Sequence, residues 1–155
     1  MAAESRGFPR ASVIEGVRFT AQVGVPNVLQ GLFKKRELPT KVAGAARAFA
    51  RAYGDEDAGA LSALLTPGVE RVSPGDEQRG RAAVLAEYRR QFAADEIQGY
   101  RLDGLQVTAG RAGRASGRYV VARKGRPAIT GRVALGMERL SGHARIRLIA
   151  TEPRS

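Results

Sequence analysis

Apolar residues recur at helical spacing in the first two thirds of the chain and alternate with polar ones in the last third. Ser12 is placed to cap a helix over 13–23, with Val13, Val17 and Val23 among its apolar positions. Pro26 breaks it. Asn27 to Lys35 predicts a second short helix with Val28, Leu29, Leu32 and Phe33 on one side, and Lys34, Lys35 and Arg36 suit its C-terminal dipole. Leu38-Pro39-Thr40 is expected to close this segment. Residues 41–53 are Ala-rich, a strong helix signal that Gly54 ends. Asp55 or Asp57 then caps a helix carrying Leu61, Leu64 and Leu65, which stops at Thr66-Pro67-Gly68. Val69 to Val72 fits a short strand, and Ser73 to Asp76 a loop. Gly80 leads into a helix over 81–93, with Val84, Leu85, Tyr88 and Phe92 on one stripe.

From Tyr100 the period changes to two. Tyr100 to Ala109 is a strand whose alternation changes phase at Gly104, as a bulge would require. Gly110 to Gly113 is a turn. Arg114 to Arg123 places Ala115, Gly117, Tyr119 and Val121 on one face. After the turn at Lys124 to Pro127, Ala128 to Arg139 places Ile129, Val133, Leu135 and Met137 together. A Ser141-Gly142 hairpin leads to Arg145 to Thr151, with Ile146 and Leu148 expected to face inwards. Four strands with tight turns form an antiparallel meander, and the helices before it cover one face, giving an α+β domain.

A chain of 155 residues supports one domain able to bury a core without staples. Absence of Cys excludes a disulfide framework, a thiolate metal site and a thiol nucleophile. With His143 as the single histidine, a histidine metal cluster is excluded as well. Asp55, Glu56 and Asp57 are explained by helix capping, so neither metal nor cofactor is expected. The longest uncharged run, Phe19 to Phe33, has 15 residues, short of the ~20 a spanning helix needs, and a cytoplasmic protein is expected. Net charge is +11, and residues 101–155 carry twelve Lys/Arg against three Asp/Glu. Such asymmetry fits an anionic partner or a solvated Arg-rich surface.

The stretch Phe49-x3-Tyr53-Gly-Asp-Glu-Asp57-x3-Leu61, followed by Leu64-Leu65-Thr-Pro-Gly, resembles the first helix pair of the nuclear transport factor 2-like superfamily. Gly80-Arg81-x6-Tyr88-Arg89 resembles its third helix, and Gly142 to Ile149 its last strand. The superfamily includes SnoaL-like cyclases and ketosteroid isomerases. The resemblance covers about residues 42–153. It implies a cone-shaped, curved antiparallel sheet wrapped around three helices, with an apolar pocket inside. On that basis residues 1–40 are expected to form an N-terminal helical arm that packs on its own domain, residues 41–155. The fold hosts enzymes, binding modules and transport adaptors alike.

Carried over by position, the isomerase equipment is replaced. The oxyanion-hole tyrosine position reads Phe49, and the general-base aspartate position before a proline reads Ser73, ahead of Pro74. No acid lies between Gly104 and Met137. Only Tyr88 matches a pocket tyrosine of the isomerases. No catalytic residue is therefore assigned, because proton abstraction beside a carbonyl needs a base and a donor to the oxyanion. The expected role is binding of a small apolar ligand, with Phe49, Tyr53, Tyr88, Tyr119 and Met137 as pocket walls. A second reading is an isomerase or cyclase using Tyr88 with Asp103. A third uses Arg118, Arg132, Arg145 and Arg147, which strand parity points away from the helices, to bind an anion or a protein. No aromatic residue interleaves with these arginines, which argues against nucleic acid. The resemblance also implies a homodimer contact on that face, which a row of arginines would weaken unless acidic groups of the partner match it.

Overall fold

The computed structural model describes residues 28–108 and 112–154, with side chains from Pro39 onward. The helix expected over 13–23, and with it the arm's packing, lies outside the described residues. Helix α1 spans Val28–Gly54, α2 Ala58–Leu64 and α3 Arg81–Ala94. The strands are β1 Leu65–Ser73, β2 Asp76–Arg79, β3 Ile97–Thr108, β4 Gly113–Arg123, β5 Arg126–Leu140 and β6 His143–Pro153. One open sheet holds them in the order β2-β1-β6-β5-β4-β3. The β3 to β6 meander is antiparallel as the alternation predicts, while β1 runs parallel to β6. The sheet is therefore mixed. This is the α+β layout of helices against one face of a sheet.

Four local expectations are corrected. The helix does not end at Leu38-Pro39-Thr40 but continues through Pro39. A proline removes one hydrogen bond and kinks a helix, but strongly helical flanks can carry it through. The second helix does stop ahead of Thr66-Pro67-Gly68, at Leu64, but Leu65 and these residues are not a loop: they form the first part of β1, where the pairing with β6 is irregular between Leu65 and Glu70. Residues 76–79 pair as β2 although none is apolar, so no hydrophobic alternation announces them. Leu148 faces away from the helices: the β5–β6 register shifts at Gly136/Met137, leaving Arg147 as an extra residue between Ile146 and Leu148. Past that bulge Ile149 joins Ile146 in the main core, while Leu148 packs with Ala134, Ala150 and Val72 on the other face.

Elsewhere local chemistry explains the ends. Asp57 caps α2, accepting from the Ala60 N–H at 2.9 Å. Glu56 accepts from the Ile97 N–H at 3.1 Å, tying the α1–α2 turn to the start of β3. Glu56 and Asp57 thus serve a sheet end and a helix end. Gly104 has a φ of 62°, and the β3–β4 register shifts there, as its phase change predicts. Phe49, Leu61, Leu135, Met137 and Ile146 are among the large side chains fully buried between helices and sheet.

Candidate functional site

The chain has four tyrosines, Tyr53, Tyr88, Tyr100 and Tyr119, and all four line one cavity of about 180 Å³. It lies between the C-terminal half of α1, α3 and the helix-side face of the sheet. Phe49 and Tyr53 come from α1, Tyr88 and Gln91 from α3, Arg71 from β1 and Tyr100 from β3. Tyr119, Val121, Ile129, Thr151 and Pro153 complete the wall from β4, β5 and β6.

The aromatic rings hold one another. Tyr53 meets Tyr88 edge-on at 5.5 Å, Phe49 meets Tyr100 edge-on at 5.6 Å, and Tyr100 stacks on Tyr119 at 5.8 Å. Such pairs add roughly 0.5–1.5 kcal/mol each beyond area burial and fix ring orientations. The Tyr53 hydroxyl donates to Gln91 Oε1 at 2.6 Å, and Gln91 Nε2 donates to Glu87 Oε2 at 2.8 Å. Glu87 is held by Arg90, whose hydrogen bonds keep its carboxyl below the usual range. A polar chain thus runs from the cavity to the surface of α3.

Arg71 is the one ionised side chain in the wall among the described residues, and its residue is 8% exposed. Its Nη1 donates to Gln78 Oε1 at 2.8 Å and to Asp76 Oδ2 at 3.3 Å. Its guanidinium carbon lies 5.7 Å from the Tyr88 ring centroid. Its Nε is buried without a hydrogen-bond partner, a state that costs about 1–3 kcal/mol.

Burial pushes the Tyr88 phenol up to about 12, against the opposing pull of Arg71. Burial likewise raises Tyr53, Tyr100 and Tyr119 above the ordinary phenol value. All four are therefore neutral hydroxyls near pH 7, able to donate but not to act as bases. Among the described residues, the cavity wall contains no carboxylate and no imidazole.

Of the walls expected from sequence, Phe49, Tyr53, Tyr88 and Tyr119 come together, and Met137 does not. Met137 is fully buried beside Gly113 and Ile146. It lies eight residues along β5 from Ile129, roughly 26 Å at ordinary strand rise. Sequence reasoning missed Arg71, Gln91 and Tyr100. Tyr88 and Asp103 are not brought together: Asp103 sits on the far face of β3, bound to Arg101 at 2.8 and 3.0 Å. Ser73 ends β1 opposite Asp76, and His143 is exposed at the start of β6.

On the sheet's other face, Arg118 and Arg132 are cross-strand neighbours, flanked by Asp103 on β3 and Glu152 on β6. Arg132 pairs with Glu152, Nε to Oε1 at 3.1 Å. Arg145 lies opposite Glu138, and Arg147 shares a surface depression with Glu70 and Glu138. The row of arginines is therefore interleaved with acids. No helix among the described residues is long and apolar enough to cross a membrane.

No family model and no curated protein matches this chain. Solved structures do. A nuclear transport factor 2-like superfamily protein of Salmonella enterica is 14% identical with a TM-score of 0.67, covering 78% of this chain and 94% of that one. A member of the same family from Streptomyces avermitilis is 22% identical with a TM-score of 0.66, covering 78% and 99%. One of unknown function from Shewanella oneidensis is 16% identical with a TM-score of 0.60, covering 73% and 97%. At these identities the likeness carries the fold alone: this chain has the nuclear transport factor 2-like fold.

Proposed function

We propose that this protein is a small-molecule-binding domain whose ligand enters the tyrosine-lined cavity, and that its role there is binding rather than catalysis. The observation that carries this reading is the convergence of every tyrosine in the chain, with Arg71 and Gln91, on one space. Mostly apolar walls with a few placed polar groups are the usual make-up of a ligand site. A binding role fits a wall whose phenols stay protonated at neutral pH and whose described residues offer no carboxylate or imidazole as a base. The pocket belongs to a domain over 41–155, with residues 1–40 as an arm.

The reading in which the arginine face binds an anion or a protein ranks second, because Asp103, Glu138 and Glu152 interleave with that row. Native mass spectrometry of the purified protein, then of the same sample unfolded, separates the two. The expected result is a small molecule retained by the native protein and released on unfolding. It should be absent when Ile129→Trp fills the cavity. Equal retention by the Ile129→Trp variant, judged folded by circular dichroism, would place the ligand elsewhere and overturn the reading.

A further inference from the structure

We infer that the ligand of this cavity is a small aromatic carboxylate, its anionic group taken by Arg71 and its ring by the tyrosines. This rests on the binding reading above and narrows it to a chemical class.

Size comes first. A volume of about 180 Å³ lies below the ~300–1,000 Å³ of sites for drug-sized ligands, so a single substituted ring fits and a polycyclic skeleton does not. Wall chemistry comes second. The tyrosines and Phe49 offer ring faces and edges to a flat apolar body. Charge comes third. Among the described residues Arg71 is the only ionised group of the wall, and its Nε has no acceptor although it is buried. Gln78 and Asp76 take Nη1, and the Tyr88 hydroxyl also accepts from the guanidinium, yet Nε is left without an acceptor. Asp76 pairs with Nη1 at 3.3 Å from a side chain 48% exposed, so water screens its charge in part, and Nε stays unpaired. A carboxylate matches a guanidinium edge in charge and in planar geometry.

The competing ligand for a tyrosine-lined cavity is a cation held by ring faces. Arg71 argues against it, because its guanidinium already lies over Tyr88 and would repel a second positive charge.

The test uses the full chain and three single-ring probes: benzoate, benzamide and phenyltrimethylammonium. The chain has no tryptophan, so its intrinsic fluorescence comes from the four cavity tyrosines and reports binding directly. Benzoate should bind about tenfold or more tighter than isosteric benzamide, as expected for a hydrogen bond to a charged group. The ammonium probe should bind weakest. Arg71→Gln should erase the preference for benzoate while leaving benzamide binding in place. Should that variant fail to fold, the benzoate-to-benzamide ratio of the wild type decides alone. Equal affinity for benzoate and benzamide, or preference for the ammonium probe, would overturn this inference and leave the cavity-binding reading standing. No binding of any probe would overturn it too, while retention of a native ligand lost in Ile129→Trp would still support the cavity as a site.

Discussion

The four phenols are the residues on which most turns, because their protonation states follow from where the chain buries them. Desolvation disfavours phenolate, and the neighbouring phenols compound it for Tyr53 and Tyr100. Arg71 pulls the other way and leaves Tyr88 at about 12. The folded-state values are raised above the ordinary ~10, so the stabilisation these groups supply is fully present below pH ~10. It is lost as the pH rises through the raised values, since the unfolded chain sheds its phenolic protons first. Alkaline titration followed by phenolate absorbance should therefore show no tyrosine ionising near the ordinary value while the protein is folded. A single late, cooperative rise should accompany unfolding. A tyrosine titrating normally in the folded protein would place that ring in water and outside the cavity. Tyr88 and Tyr119 were legible in the sequence as inner-face positions, since Tyr88 lies on an apolar helical stripe and Tyr119 shares strand parity with Ala115, Gly117 and Val121, whereas Tyr100, at the start of its strand, was not. Arg71 was not, for a physical reason. Nearby Val69 is buried and Val72 partly buried, but on opposite faces, Val69 in the main core and Val72 with Leu148. With apolar residues on both faces, alternation cannot say which way Arg71 points.

At the scale of elements, the cavity depends on how closely β4, β5 and β6 approach one another. Gly131 on β5 lies under the Tyr119 ring, where there is no room for a side chain. A Cβ there would stand 2.6 Å from Tyr119 Oη and 2.5 Å from the Glu152 carbonyl oxygen. Gly131→Ala must therefore displace the Tyr119 ring or the β6 backbone. We predict a loss of about 1–3 kcal/mol in denaturant unfolding, the usual cost of overpacking, together with altered tyrosine fluorescence. Unchanged stability and an unchanged spectrum would show that Tyr119 does not lie over Gly131. The meander strands and α3 were legible because their hydrophobic period is regular. Elements that obey no period were missed or misplaced. β2 has no apolar residue, β1 opens on Thr66-Pro67-Gly68, and the Arg147 bulge resets the parity of β6. The Gly104 bulge was legible because its phase change falls at a glycine whose positive φ suits it. Met137 was misplaced as a pocket wall because parity gives the face of a strand and says nothing of position along it.

For the molecule as a whole, two faces of one sheet compete as the functional surface. The helix-side face holds the tyrosines around an incompletely satisfied arginine. The opposite face carries more positive charge, but Asp103, Glu138 and Glu152 answer it across the strands. A net charge of +11 thus describes the surface without locating a partner. The nuclear transport factor 2-like fold leaves that choice open, since function resides in the site and not in the architecture. NMR of the protein with ring-labelled tyrosine and labelled arginine side chains, titrated with benzoate, addresses it most directly. Saturable shifts of the tyrosine ring signals and of Arg71, with Arg118 and Arg132 unmoved, are the predicted result. Shifts confined to Arg118 and Arg132, with the four tyrosine rings silent, would contradict the account and move the functional surface to the other side of the sheet.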